Sequence, residues 1–400
     1  MRLCHLLFPR GRLRPLRHRA VRKPSHSRAD LRGLGASVHW GWLMKVGIVG
    51  GGFAGLAAAI AFRQDGHDVT VYEKAAAPSA MGGAIALAPN ALTCLSILGV
   101  RHNVVTEPWS RMAATVRARD GRILISRTLA QLAGGNEFAT VPRAQLIAWL
   151  AAALPSQCVQ YSANVSHVAA DGTVVVGGSA QRFDLVIGAD GLRSIAKKLL
   201  FADAPPPRAT GITGWAWTVD RELATGFGPI WGSTADFGIL PLVDGRTYVY
   251  GGSRLWDTDL RSFLDWPQPL PALILAANAD EIITPEIFEA RPPRQLIRGN
   301  VVLIGDAAHC MRPTFGQGAA LAMEDAITLA RCGAPGLARR RLRMLALYGA
   351  SKAGSRFTAP GSTAQESARN RALRLMPDPL FGALAGSVSR WRVPRATRRW

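Results

Sequence analysis

Residues 46 to 74 limit the possible folds more than any other stretch. Val46-Gly47-Ile48-Val49 is an apolar run of buried-strand length, Gly50-Gly51-Gly52-Phe53-Ala54-Gly55 follows, and Leu56 to Gln64 continues as a helix. Val69-Thr70-Val71-Tyr72 then supplies a second strand that ends in Glu73-Lys74. A G-x-G-x-x-G run between strand and helix, with an acid 23 residues after its first glycine, is the opening βαβ unit of a dinucleotide-binding sheet. Gly50 allows the tight turn, Gly52 lets the backbone approach a pyrophosphate, and Gly55 lets helix and strand pack closely. Glu73 can accept hydrogen bonds from both ribose hydroxyls and would repel a 2′-phosphate, which fits FAD or NAD. Glycine-rich turns also serve plain packing, so the flanking strands are what give the pattern weight.

A second stretch, Val301 to Ala326, reads VVLIGDAAHCMRPTFGQGAALAMEDA. Val301 to Ile304 suits a buried strand, and Gly305-Asp306 sets a carboxylate just past its carboxyl end, where α/β sheets bind ligands. Gly316-Gln317-Gly318 then opens a helix in which Ala320, Met323, Ile327 and Ala330 recur at helical spacing, with Glu324, Thr328 and Arg331 on another face. A glycine-lined helix start offers free N–H groups and the positive end of a dipole, suited to an anion or to a ring oxygen that becomes negative on reduction.

The run G-D-A-A-H, P-x-x-G-Q-G and E-D-A in this stretch resembles the second flavin-contacting motif of the single-component FAD-dependent aromatic hydroxylases, which include salicylate, hydroxybenzoate and urate hydroxylases. Two further segments fit the resemblance in the right order. Phe183 to Gly188 is a buried strand leading into Ala189-Asp190-Gly191-Leu192-Arg193-Ser194, similar to the family's G-A-D-G-x-x-S, with Lys197 where an arginine is commoner. Met81-Gly82-Gly83-Ala84 and Ala88-Pro89-Asn90 resemble the segment that lies along the flavin; taken alone, they read as a loop and a helix cap. The resemblance covers about residues 44 to 331.

The resemblance implies an α/β fold: a Rossmann-like FAD-binding domain, an inserted antiparallel-sheet substrate domain and C-terminal helices. Residues 44–112, 141–204 and 294–332 are expected to form the discontinuous FAD domain, 113–140 and 205–293 the substrate domain, and 333–400 a basic helical segment. Cofactor contacts are expected from Gly50, Gly52, Phe53, Ala54, Gly55, Glu73, Lys74, Gly83, Arg143, Val165, Asp190, Gly191, Gly305, Asp306, Pro313, Gly316, Gly318 and Ala319. Asp306 would hold the ribityl chain, Gly318 and Ala319 N–H groups would face the ring's N1 and C2 oxygen, and Pro313 would give the loop a rigid face beside the ring. Arg143 opens a helix, where a cation opposes the dipole unless an anion is near; the family has an arginine here that reaches the cofactor. By the same resemblance NAD(P)H reduces FAD, O2 adds to the reduced ring as a peroxide, and the terminal oxygen passes to an electron-rich aromatic carbon. His309 reads as structural rather than as a base.

Residues 104 to 128 alternate loosely around Asp120-Gly121 and read as a hairpin, and 212 to 255 read as antiparallel strands. Tyr248 and Tyr250 share one strand face, as do Trp215 and Trp217; either pair could wall a planar substrate or fill a core. Pro313, Tyr248 and Tyr250 are the candidate catalytic residues. Asp236 stands where the urate-type branch carries a basic residue, which weakens a urate assignment. Trp215-Ala-Trp217 is similar to the W-x-W of flavin halogenases but lacks their following proline. A reductase or halogenase on this scaffold, or a flavin-binding sensor without turnover, are the alternatives.

Charge argues against a nucleic-acid role for the body of the chain. Of 48 Lys+Arg and 27 Asp+Glu, residues 1 to 43 hold 10 and 1 and residues 331 to 400 hold 15 and 2, leaving 23 basic and 24 acidic residues between. The body is near neutral, and neither end interleaves aromatics with basic residues as a nucleic-acid module does. The first 43 residues read as a basic leader, with Met44 a plausible start. Among the arginines of the other end, partner acids are sparse, as in a basic helical tail or a displaced reading frame. Five scattered cysteines with no C-x-x-C pair argue against a metal site or disulfide framework and fit a reducing cytoplasm. Val46 to Phe62 is the most apolar run but contains five glycines and is too short for a span, so no stable membrane insertion is expected. Partners reduce to a small aromatic substrate and O2, with the chain a monomer or homodimer.

Overall fold

The computed structural model describes residues 43–78, 83–132, 134–220, 226–242, 244–255, 258–376, 383 and 386–397. Met81 and Gly82 and the leader to residue 42 lie outside these.

Six strands form the cofactor-side sheet, in the order Ile297–Arg298, Val301–Leu303, Leu185–Gly188, Lys45–Val49, Asp68–Tyr72 and Val159–Gln160. All neighbours are parallel except the edge pair of Ile297–Arg298 with Val301–Leu303. Apolar strands of this kind are buried on both faces; Val46, Ile48, Val71, Val186, Ile187 and Val302 are each at most 1% exposed. The helix Phe53–Gln64 is buried continuously from Phe53 to Phe62, so it is apolar all round rather than amphipathic. Because the strands run parallel, their carboxyl ends deliver Gly50, Asp190 and Gly305-Asp306 to one edge.

A second sheet of seven strands runs Glu286–Glu289, Arg208–Val219, Thr247–Ser253, Ala235–Pro241, Ile230–Trp231, Ala113–Ala118 and Ile123–Thr128. It is antiparallel except where Ile230–Trp231 pairs in parallel with Ala113–Ala118. The two-residue period divides its faces. Trp215, Trp217, Phe237, Ile239 and Val249 turn to a core shared with Phe263, Leu270 and Leu273, whereas Asp236, Gly238, Tyr248 and Tyr250 lie on the other face. The expected hairpin at 104–128 is shorter than its alternation suggested: Glu107–Arg111 is helical, with Pro108 in its first turn, and the strands begin at Ala113.

The carboxyl end is helical and tied in, over Gly318–Thr358 and Thr363–Leu375. Gly333, at φ 62°, breaks the first into two pieces. The face carrying Glu324 and Thr328 is not a solvent face; Glu324 is 0% exposed and Thr328 4%. The acids that are sparse among the C-terminal arginines come from this helix: Arg340 reaches both Glu324 and Asp325 at 2.7 Å, and Arg343 reaches Glu324 at 2.7 Å. Arg369 instead donates to the carbonyls of Trp231, Gly232, Phe357 and Thr358. Among the described residues no helix is long and apolar enough to cross a membrane.

Candidate functional site

Each glycine of the first turn has its own steric reason. Gly50 sits at φ +103° with its would-be Cβ 2.5 Å from the Ala189 carbonyl oxygen, and a Cβ on Gly55 would stand 1.9 Å from the Gly50 oxygen. Gly52 faces open space and caps the helix with no side-chain acceptor, so the first N–H groups remain available to a ligand. Phe53 and Ala54 are the first, buried residues of that helix. Glu73 is held in place: its Oε2 accepts from the Gly51 N–H at 2.6 Å and its Oε1 from the Ala75 N–H at 2.8 Å, leaving lone pairs for ribose hydroxyls. Lys74 follows, exposed. Val165 opens a strand two residues after Ala163, whose N–H donates to the Glu73 carbonyl at 2.9 Å.

Asp190 lies beyond the neighbouring strand. Its Oδ2 accepts from the Ile195 N–H at 2.6 Å, and its buried Oδ1 has no partner. Burial pushes its pKa up, against hydrogen bonds from Ser194 and Ile195 that pull it down. Gly191, at φ +76°, faces open space.

The third strand ends at Gly305, whose φ of +59° and 2.7 Å approach to the Ala54 Cβ leave no room for a side chain. Asp306 begins a short helix and is exposed, while Ala307, Ala308 and His309 beneath it are buried. Pro313 opens a 3-10 turn that Gly316 ends in the left-handed conformation. The helix from Gly318 has no side-chain cap, and Gly318 faces open space, so the N–H groups of Gly318 and Ala319 point to the same free end.

Gly83 and Arg143 join this edge through the paired strands Ala84–Leu87 and Ala139–Pro142; the Arg143 N–H donates to the Gly83 carbonyl at 2.9 Å. The Arg143 guanidinium lies 4.8 Å from the Phe53 ring centroid. Desolvation lowers its pKa, opposed by Asp306 and Tyr248, each of which lies within electrostatic reach of the guanidinium. Tyr248 thus comes from the second sheet onto the edge. Its ring stands 6.0 Å from that of Tyr250, which in turn occupies the notch at Gly238, where a Cβ would lie 2.1 Å from the phenol ring. Burial raises the pKa of both phenols. Asp236 stands beside Tyr250, and burial lifts its carboxyl to about 6 despite Thr358, Arg254 and Arg369.

Trp215 and Trp217 are elsewhere. Both are core residues, and the Trp217 indole N–H donates to the Leu273 carbonyl at 3.1 Å.

Beneath the edge lies a polar network that the sequence pattern did not reveal. His309 is fully buried and bonds through Nε2 to Asp325, which also binds Arg340. Burial works to raise the Asp325 pKa, and His309 and Arg340 overcome it, holding the carboxyl below its ordinary range. Asn90, in the helix Pro89–Ile97, donates to Gln317 at 2.9 Å and to Glu324 at 2.7 Å, tying that helix to the start of Gly318–Thr358. Lys197 is buried with an unpartnered ammonium, its pKa lowered by burial, and it faces Cys310, whose thiol burial pushes to about 12. Among the described residues no cluster of three or more His, Cys, Asp or Glu could hold a metal ion.

A carboxylate-ended strand, two open helix starts and an orphaned buried carboxylate oxygen, gathered at the strand ends of a parallel sheet, define a dinucleotide-binding flavoprotein, and the residues fit FAD. The family model described as "FAD binding domain" matches residues 43–225 and 284–348, passing over the middle strands of the second sheet. Aurachin C monooxygenase/isomerase of Stigmatella aurantiaca is 31% identical over 329 residues, 72% of this chain and 81% of that protein. The FAD-dependent urate hydroxylase of Klebsiella pneumoniae is 33% identical over 309 residues, 72% and 80% of the two chains. The crystal structure of Klebsiella pneumoniae HpxO with FAD and uric acid superposes with a TM-score of 0.78 at 27% identity, covering 86% of this chain and 96% of that one. The chain belongs to this FAD-binding family, and it is an FAD-dependent monooxygenase of the aromatic hydroxylase type.

Proposed function

We propose that the protein hydroxylates a planar conjugated ring seated between Tyr248 and Tyr250 and the Pro313 loop, with NAD(P)H as reductant. One observation supports this reading most: Tyr248, on the face of the second sheet turned away from its core, lies against Gly83 and within reach of Arg143, which also feels the Asp306 carboxylate. Tyr248 therefore brings an aromatic side chain from the sheet to the cofactor residues, with the Tyr250 ring 6.0 Å from it.

Bound FAD supplies the electron transfer and oxygen activation. The chain's part is binding and electrostatics. Asp306 and Glu73 accept hydrogen bonds from hydroxyls, the Gly52 and Gly318 helix starts meet negative charge, and Arg143 balances it. Pro313, with no N–H of its own, presents an apolar face that keeps water from the reacting centre. Asp236 beside Tyr250 offers an acceptor where a cation would welcome an anion, so the preferred substrate is a ring with an N–H or O–H donor rather than an anion such as urate.

The test begins with the protein's visible spectrum, followed by NAD(P)H and O2 consumption with phenols, aromatic acids, N–H heteroaromatics and purines. A yellow protein whose consumption rises with a donor-bearing ring supports the reading. Stimulation by aromatic acids or urate alone would sink the donor-ring preference, and a yellow protein that no ring stimulates would sink the turnover itself.

A further inference from the structure

The last turns of Gly318–Thr358, the helix Thr363–Leu375 and Arg254, just past the strand Thr247–Ser253, line a solvent-open cleft of about 670 Å³. That volume is in the range of small-molecule sites. Arg254, Arg356, Phe357, Pro360, Gln365 and Arg369 line it.

The three arginines differ in how far they are used. Arg369 is committed to main-chain carbonyls and lies 5.8 Å from the Trp231 ring centroid. Arg254 has a buried Nε with no partner and only a long 3.4 Å contact from Nη2 to the Ser355 hydroxyl. It faces Arg312 and Arg356, with Asp236 as its opposing charge. Arg356 is exposed and has no acidic partner among the described residues. The second acid nearby, Glu366, stands 3.9 Å from Arg369. The uncompensated charge is therefore that of Arg356, beside the Arg254 guanidinium whose buried Nε is unpartnered, and a buried donor left unmade calls for an acceptor.

Beside these cations lies a flat apolar surface. Phe357 is 42% exposed, and its ring is held edge-on to Trp231 at 5.9 Å. Gln365, at the start of the next helix, brings an amide with both a donor and an acceptor.

We propose that this cleft is a nucleotide site, taking phosphate groups on Arg254 and Arg356 and a heteroaromatic base against Phe357 within reach of the Gln365 amide. Two sources share that chemistry: the adenosine diphosphate half of the nicotinamide co-substrate and a free adenine nucleotide. The first rests on the NAD(P)H-consuming reading above. The site also touches the flavin loop, because the Ser355 hydroxyl accepts from Arg312 at 2.7 Å as well as from Arg254, and Arg312 immediately precedes Pro313.

The test is calorimetry of the FAD-loaded protein with ADP, inorganic pyrophosphate and adenosine. ADP is expected to saturate one site, with Arg254→Gln and Arg356→Gln each weakening it tenfold or more while flavin content stays constant. Phe357→Ala should weaken ADP and leave pyrophosphate binding unchanged. Absence of saturable ADP binding, or affinity indifferent to both arginine substitutions, overturns the proposal. Competition of ADP against NAD(P)H in turnover assigns the site to the co-substrate, and altered turnover without competition assigns it to a free nucleotide. ADP that binds and does neither overturns the nucleotide role and leaves an adventitious ion only. The binding arm needs no turnover, so it can fail while the monooxygenase reading stands, and the reverse.

Discussion

Tyr248 reaches from the second sheet into the notch left by Gly83, where any Cβ would stand 3.0 Å from its hydroxyl. This contact joins the second sheet to the paired strands Ala84–Leu87 and Ala139–Pro142 at the flavin edge. Gly83 also adopts φ +93°, so Gly83→Ala meets both a tight contact and a strained backbone, about 1–2 kcal/mol for the latter. The variant is expected to lose substrate-stimulated oxygen uptake more than bound flavin. Wild-type stimulation would show that the contact does not position Tyr248.

Asp306 is exposed just past the end of its strand and, among the described residues, its side chain makes no hydrogen bond that would explain it structurally. Asp306→Ala should weaken FAD by tenfold or more, about 1.4 kcal/mol, with little change in melting temperature once flavin is removed from both proteins. A full flavin complement in the purified variant would remove this residue from the cofactor site.

Arg340 sits against two carboxylates that are 0% exposed. Arg340→Met leaves Asp325 with His309 alone and Glu324 with Arg343 alone, and a buried ion pair broken on one side typically destabilises by about 3–5 kcal/mol. Urea unfolding of the apo protein reads this directly. A loss under 1 kcal/mol would mean that Arg343 and His309 satisfy the acids unaided.

Asp236 makes stability depend on pH. Its folded pKa, about 6, lies above the ordinary 3.8, so the folded state holds the proton more tightly. The stabilising contribution is complete below pH 3.8 and is lost as pH rises through 6, a change of up to about 3 kcal/mol. Asp236→Asn keeps a neutral side chain throughout. It should flatten the stability profile between pH 4 and 6 and gain relative to the wild type at pH 7; parallel profiles for the two proteins would contradict the raised pKa.

The Rossmann-like sheet was legible because its information is local. Four-residue apolar runs, a glycine turn and an acid at a fixed offset are properties of neighbouring residues, and backbone sterics translate them directly into strand, turn and helix. The same holds for Asp190 and Asp306, set at the ends of strands whose parallel order brings them together. The hairpin at 104–128 was misjudged at its start because alternation over a short polar segment does not distinguish a strand from a turn of helix opened by proline.

The sequence by itself determined the succession of strands and glycine turns and the acids at the strand ends, hence a dinucleotide-binding sheet, and the motif resemblance made that dinucleotide a flavin. Tertiary structure alone decided which aromatics fill the core and which line the flavin edge, since a period of two fixes that Trp215 and Tyr248 alternate with their neighbours but not which face is covered. It also decided that Glu324 and Asp325 are interior ions partnered by arginines of the basic tail, and that Asn90 bonds Gln317 and Glu324 across 227 and 234 residues. The reason is physical: a buried charge is tolerated only where packing brings a partner to it, and no pattern within a few residues records a partner that the fold supplies from the far end of the chain.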